Sequence, residues 1–178
     1  MEWYKKLSTY FPENEMKDEG QMNALLAHHE AYHVYQTDSV VATYAKFRNF
    51  IFIDYLLVNP NTRGQGIGRK VLDAFKQTGK PIILEVEPPE AEGDDTVRRV
   101  KFYERNGFRK AEHIEYTRSD EDGTLNTMDI YYWPPDEVSE KTILQQMATV
   151  CREIHNFRAL KYYGRLVADP IDSLSWVQ

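Results

Sequence analysis

The sequence predicts an α/β fold of mixed α+β character, a mostly antiparallel central sheet with helices on both faces. Three observations lead there. Apolar residues switch, segment by segment, between helical spacing and the period of two of strands. Two apolar runs, 39–47 and 50–58, are separated only by Arg48-Asn49, which implies an antiparallel hairpin. A helical stretch over 66–78 then leads to a short, very apolar run, 81–87, suited to the centre of a sheet.

In chain order, Trp3, Leu7, Tyr10 and Phe11 recur at spacings of three and four until Pro12 stops them. A second helix is expected over about 15–30, with Met22, Leu25, Leu26 and His29 on one face. Residues 32–37 alternate and read as a strand, followed by the hairpin strands, the second ended by Pro60. Ile67, Val71, Ala74 and Phe75 form the stripe of the next helix, closed by Gly79 and Pro81. After strand 81–87 an acidic stretch leads into a helix over about 96–106, ended by Gly107. Strands near 108–118 and 127–133 follow, joined by a polar turn around Asp120-Glu121-Asp122-Gly123. Pro134-Pro135 is the clearest boundary. It suggests a domain over 1–134 and a C-terminal helical extension over 135–178 packed on it, with Ile143, Leu144, Met147, Val150, Cys151, Ile154 and Phe157 as the apolar stripe. The final dozen residues carry no strong signal.

The 178 residues suit one domain, or one with an appendage. Apolar residues at 42% and aromatics at 13% argue against disorder. With 22 Lys plus Arg against 28 Asp plus Glu, the net charge of −6 disfavours nucleic acid, whose binding needs a basic field. The one cysteine, Cys151, excludes an internal disulfide and fits a reducing compartment. No apolar run approaches the ~20 residues of a membrane span, and the N-terminus lacks an export signal. A cytoplasmic location without membrane or nucleic-acid partners is expected, as a monomer or homodimer.

The most informative segment runs from Asp54 to Leu72: strand, turn, glycine-rich loop, helix. Gly64, Gly66 and Gly68 alternate at a helix start, where each glycine costs about 1 kcal/mol relative to alanine. What compensates is access. Without a Cβ, backbone N–H groups are open to a ligand, and the first turn's N–H groups have no helical partner. The helix dipole and the cations Arg63, Arg69 and Lys70 make the loop a pyrophosphate site. It is neither a P-loop nor a dinucleotide fingerprint, since Arg69 occupies the position where each needs glycine.

Arg63-Gly64-Gln65-Gly66-Ile67-Gly68 resembles the Arg/Gln-x-x-Gly-x-Gly/Ala motif of the GNAT superfamily of N-acetyltransferases. Val100-Lys-Phe-Tyr103-Glu-Arg-Asn-Gly107-Phe108 is similar to that family's helix ending in Phe-Tyr-x-x-x-Gly-Phe. The likeness covers about 15–133, and the whole chain resembles acetyltransferase-like proteins of Gram-positive bacteria. It implies a three-layer GNAT-like fold and transfer of acetyl from acetyl-coenzyme A to a primary amine, on a small molecule or a protein, by direct attack and without a metal. It further implies that Leu57 and Val58 offer backbone groups to the thioester and pantetheine, that Arg63 through Gly68 with Arg69 hold the pyrophosphate, and that Tyr103 is the general acid for the thiolate. Thr96 and Arg99 stand where the family often has Asn and Ala. Binding of an acyl-coenzyme A without transfer is the alternative reading.

Direct attack has a protonation problem. An amine of pKa ~10.4 is neutral in only about one molecule in 2,500 at pH 7, worth roughly 4.6 kcal/mol. A base must take the proton, and Glu85 and Glu87, two apart on a strand and opposite Ile82, Leu84 and Val86, are the candidates. Side by side they would push one carboxyl upward, although a solvated strand end with ordinary charges reads equally well. Asp54, a carboxylate in an apolar strand, is a further candidate base or a structural hydrogen-bond acceptor. Charge is uneven too: six acids and no base over 85–95, where a cationic acceptor would be attracted, then six bases and one acid over 98–110.

One motif competes. His29-Glu30-Ala31-Tyr32-His33 spells the His-Glu-x-x-His of zinc hydrolases, with Glu30 as base if the segment is helical. The helical period is giving way to a strand there, which makes it the remote alternative. Cys151 sits on an apolar stripe and reads as core.

Overall fold

A computed structural model describes residues 2–89 and 95–178. The chain divides into two compact units, Met1–Lys80 and Pro81–Gln178. The fold class is the expected mixed α/β, and the strand pairings within each unit are antiparallel.

In the first unit, helix α1 (Glu2–Tyr10) buries Trp3 and Leu7. Helix α2 (Glu19–His28) starts later than its apolar pattern suggests, because Asp18 caps it: the backbone N–H of Gln21 donates to Asp18 Oδ1 at 3.2 Å. Strands β1 (Tyr32–Gln36), β2 (Val40–Lys46) and β3 (Ile51–Val58) form a meander. The β2–β3 turn closes where Phe47 N–H donates to the Phe50 carbonyl at 2.9 Å, with their rings stacked at 4.6 Å. Thr43 opposes Tyr55 while Tyr44 opposes Ile53, so Asp54 is an extra, bulged residue. Helix α3 (Ile67–Lys76) follows. Its buried line is Gly68 and Leu72, with Ile67, Val71 and Phe75 half-buried and Ala74 exposed. Ala74 therefore does not belong to the buried stripe.

The second unit is organised around a long strand. Strand β4 (Ile82–Val86) is followed by helix α4 (Asp95–Arg105), then β5 (Arg109–Lys110), β6 (Ile114–Ser119) and β7 (Leu125–Trp133). Strand β7 pairs with β4, β5 and β6. The single strand expected over 108–118 is two strands. At the break the backbone N–H of His113 donates to the carboxylate of Glu140 at 2.8 Å rather than to the sheet. Helix α5 (Glu140–Val150) buries Ile143, Met147 and Val150, then widens into a π-helical turn at Cys151–His155. Helices α6 (Ala159–Tyr163) and α7 (Pro170–Ser173) lead to strand β8 (Leu174–Trp176). Residues 135–178 are thus not wholly helical: β8 pairs with β6, Ile114 opposite Trp176 and Tyr116 opposite Leu174. Among the described residues no helix is long and apolar enough to cross a membrane.

Candidate functional site

In the first unit the glycine loop connects β3 to α3. Gly64 and Gly66 have φ of +86° and +74°, the left-handed region that costs an L-residue about 1–2 kcal/mol. No protein atom lies within 4 Å of where a Cβ would stand at either position. Packing does not require glycine there, so the open space is what the two residues supply. Gly66 caps α3 with no side-chain hydrogen bond, and the first helical bond runs from Lys70 N–H to the Gly66 carbonyl at 3.1 Å. Among the described residues no hydrogen bond is donated by the backbone N–H groups of residues 64–69. Gly64, Gln65, Gly66 and Arg69 are exposed, Arg63 and Ile67 half-buried, Gly68 buried. The Arg63 guanidinium lies over the Tyr10 ring at 5.5 Å, and Arg69 makes a loose pair with Asp73 at 3.8 Å. The loop thus sets open backbone donors at a helix N-terminus with a cation at each end, a chemistry that suits an anionic group. Leu57 and Val58 lie just before it, opposite Val41 and Val40 in the β2 ladder.

Asp54, also in this unit, proves to be structural. Its side chain is 3% exposed; Lys17 Nζ donates to Oδ1 at 2.8 Å and the Tyr32 hydroxyl to Oδ2 at 2.7 Å. Burial first, then the Asp54 charge, pushes the Tyr32 hydroxyl well above its ordinary pKa. A carboxylate bound on both oxygens inside an apolar strand is committed to holding the bulge. His29 and His33 are also placed apart. Helix α2 ends at His28, His33 lies on β1, and the two rings pack on Phe47 and Tyr44 respectively. The helix that would align both histidines on one metal is missing, so the zinc-hydrolase alternative loses its geometry.

In the second unit, Glu85 stands on β4 opposite Ile130 of β7, its side chain 9% exposed. Its two oxygens are engaged separately: Oε1 lies 3.1 Å from His155 Nε2, and Oε2 lies 3.7 Å from Arg118 Nη1. The Tyr116 hydroxyl is buried beside this carboxylate. It makes no well-formed hydrogen bond among the described residues, so the two couple mainly through the field. Burial, and after it the Glu85 charge, pushes this tyrosine well above its ordinary pKa. Glu87 lies just past β4, half-buried, with no ion pair among the described residues. Tyr103 on α4 is 5% exposed, its ring at 5.3 Å from that of Phe102 and 5.8 Å from that of Phe108. Thr96 is buried and Arg99 half-buried on the same helix.

The model of the acetyltransferase (GNAT) domain matches residues 26–110, which takes in the glycine loop and the whole of α4. The chain is 42% identical over 166 residues to the acetyltransferase-named protein YjbC of Bacillus subtilis (strain 168), covering 92% of this chain and 86% of that one. The protein belongs to the GNAT acetyltransferase family. A solved GNAT-family structure from Bacteroides thetaiotaomicron is similar in fold, with a TM-score of 0.69, 22% identity and 90% of each chain covered.

In this GNAT protein the charged segments read from the sequence are described only in part. The acidic segment read as attracting a cationic acceptor falls, for 90–94, outside the described residues; Asp95 pairs with Arg98 at 3.0 Å. The basic stretch 98–110 is partly neutralised by ion pairs, Arg109 with Asp136 at 3.2 Å and Lys110 with Asp129 at 3.6 Å. His155 and Arg118 are the functional candidates that the sequence reading missed. The one signal for His155 was a histidine beside an apolar stripe, which spacing alone does not distinguish from core.

Proposed function

We propose that the protein transfers acetyl from acetyl-coenzyme A to a primary amine by direct attack of the amine nitrogen on the thioester carbonyl. One observation carries this reading: the uncapped left-handed loop at Gly64 and Gly66, open where a Cβ would stand and with unused backbone donors from 64 to 69. These residues suit a pyrophosphate. Coenzyme A, when bound, supplies the activated acyl group. Arg63 through Arg69 hold its phosphates by backbone N–H groups and by the two guanidinium groups. Leu57 and Val58 offer main-chain groups to the pantetheine arm.

The chain's own acid and base then move two protons. Glu85, or Glu87 two residues on, accepts the amine proton through a water, which addresses the roughly 4.6 kcal/mol cost of a protonated amine. Tyr103 gives its hydroxyl proton to the departing thiolate. The C–S bond breaks as the C–N bond forms, and the net products are an amide and a free thiol. The acceptor is a small molecule or a protein amine. Residues 135–178 are proposed as an appendage to the transferase domain of 1–134.

Acetyl-coenzyme A at 100 times its Kd is expected to stabilise the fold by about 2.7 kcal/mol. Thiol release with a panel of primary amines then separates transfer from binding alone. Absence of any thermal shift with acetyl-coenzyme A contradicts the proposal.

A further inference from the structure

We propose that His155 is a positioning residue for the general base Glu85, brought to it by the π-helical turn that ends α5. The inference rests on the reading of Glu85 as base given above.

The geometry begins with helix periodicity. At about 100° per residue, a straight α-helix would place His155 about 120° around the axis from Ile143, at the margin of the buried stripe. The turn at Cys151–His155 is wider, with Asn156 N–H donating to the Cys151 carbonyl at 2.9 Å, a five-residue spacing. A wider turn advances less per residue and carries His155 back toward the stripe. Ile154 and His155 are accordingly both buried, at 0% and 1% exposure. With Glu85 ionised, as its proposed role as base requires, the carboxylate can only accept, and His155 Nε2 at 3.1 Å from Oε1 is then the donor.

Arg118 faces the other oxygen at 3.7 Å, long for a hydrogen bond and suited to a field effect. Among the described residues, Arg118 and Tyr116 from β6 and His155 from the π turn face Glu85, with Cys151 of the same turn beside Tyr116. His155 meets a carboxylate oxygen at hydrogen-bond distance. Such a contact fixes the carboxylate's orientation, and small misplacements of a base are costly in rate. It also favours the charged form of the base, which sets the pH at which the base works.

The test replaces His155 with a side chain that keeps a donor near Nε2, His155→Gln, and with two that do not, His155→Leu and His155→Met, so that at least one folded variant lacking the donor is in hand. Turnover is followed against pH, and the Glu85 carboxyl titration by carbon NMR. Loss of the donor is expected to lower kcat about tenfold to a hundredfold at unchanged KM for acetyl-coenzyme A. The acidic limb of the rate profile and the Glu85 midpoint should both move up by about one unit. His155→Gln should restore both to near the original values. Purely structural packing of His155 would move neither midpoint, and an unmoved midpoint or limb in the donor-free variants overturns the proposal, as does equal damage in His155→Gln. Glu85→Gln separates the two claims. If it transfers acetyl at the original rate, the base reading falls and this inference with it. If it loses turnover while His155→Leu keeps rate and limb, this inference alone falls.

Discussion

Replacing Gly66 by alanine isolates the loop's role. Gly66 has φ +74°, and an L-residue there costs about 1–2 kcal/mol in backbone strain. A Cβ meets no protein atom within 4 Å, so no packing term adds to that. At roughly 2–4 °C per kcal/mol for a chain of this size, Tm should fall by about 2–8 °C. The methyl group would occupy open space within the proposed binding loop. Loss of one charge-assisted hydrogen bond to phosphate is worth about 1.5–3 kcal/mol, so acetyl-coenzyme A affinity should fall about 10- to 150-fold. Gly79 provides the control, with φ +73° and nothing within 4 Å, but outside the loop. Gly79→Ala should lower Tm by a similar amount and leave affinity unchanged. Differential scanning fluorimetry reads the first quantity and calorimetric titration the second. If Gly66→Ala and Gly79→Ala bind acetyl-coenzyme A equally well, the loop does not hold the pyrophosphate.

Other outcomes follow from the same structure. Lys17→Met leaves the Asp54 carboxylate, 3% exposed, without its cation, and breaking such a buried pair costs about 3–5 kcal/mol. Denaturant unfolding should show that loss, and a change below 1 kcal/mol would mean that the pair contributes little. Tyr103→Phe should lower kcat by about 10²–10⁴-fold with acetyl-coenzyme A binding intact. A rate equal to the original returns Tyr103 to a packing role. The contribution of the buried tyrosines to stability should be level below pH 10 and fall above it. Tyr131 is pushed up to about 12, by burial first, while Tyr32, Tyr116 and Tyr132 are also raised. A proton held more tightly in the fold than in the unfolded chain stabilises fully below the unfolded value of 10.0 and loses that contribution as pH rises toward about 12. Denaturation curves across this window, compared with Tyr116→Phe, should show a shallower loss in the variant.

The glycine loop was legible because three glycines at a helix start violate propensity, a violation that the proposed ligand site would explain. The hairpin and the end of α4 at Gly107 were legible for the same local reasons. What escaped depends on partners distant in sequence. The break between β5 and β6 turns on Glu140, 27 residues beyond His113, capturing a backbone donor. Strand β8 is three residues long, too short for a period, and exists through its pairing with β6. Asp54 shows the middle case. A carboxylate in an apolar strand announced a special role, but the choice between base and structural acceptor needed Lys17 and Tyr32, 37 and 22 residues away. His155 meets Glu85 across 70 residues, after a π turn that no apolar pattern encodes.

The central claim is that acetyl-coenzyme A sits on the backbone donors that follow β3. Amide chemical-shift mapping on a ¹⁵N-labelled sample, titrated with acetyl-coenzyme A, addresses it residue by residue. The N–H signals of residues 64–69 should move together with saturation and gain protection from exchange. Signals that saturate elsewhere while those of 64–69 stay in place would contradict it.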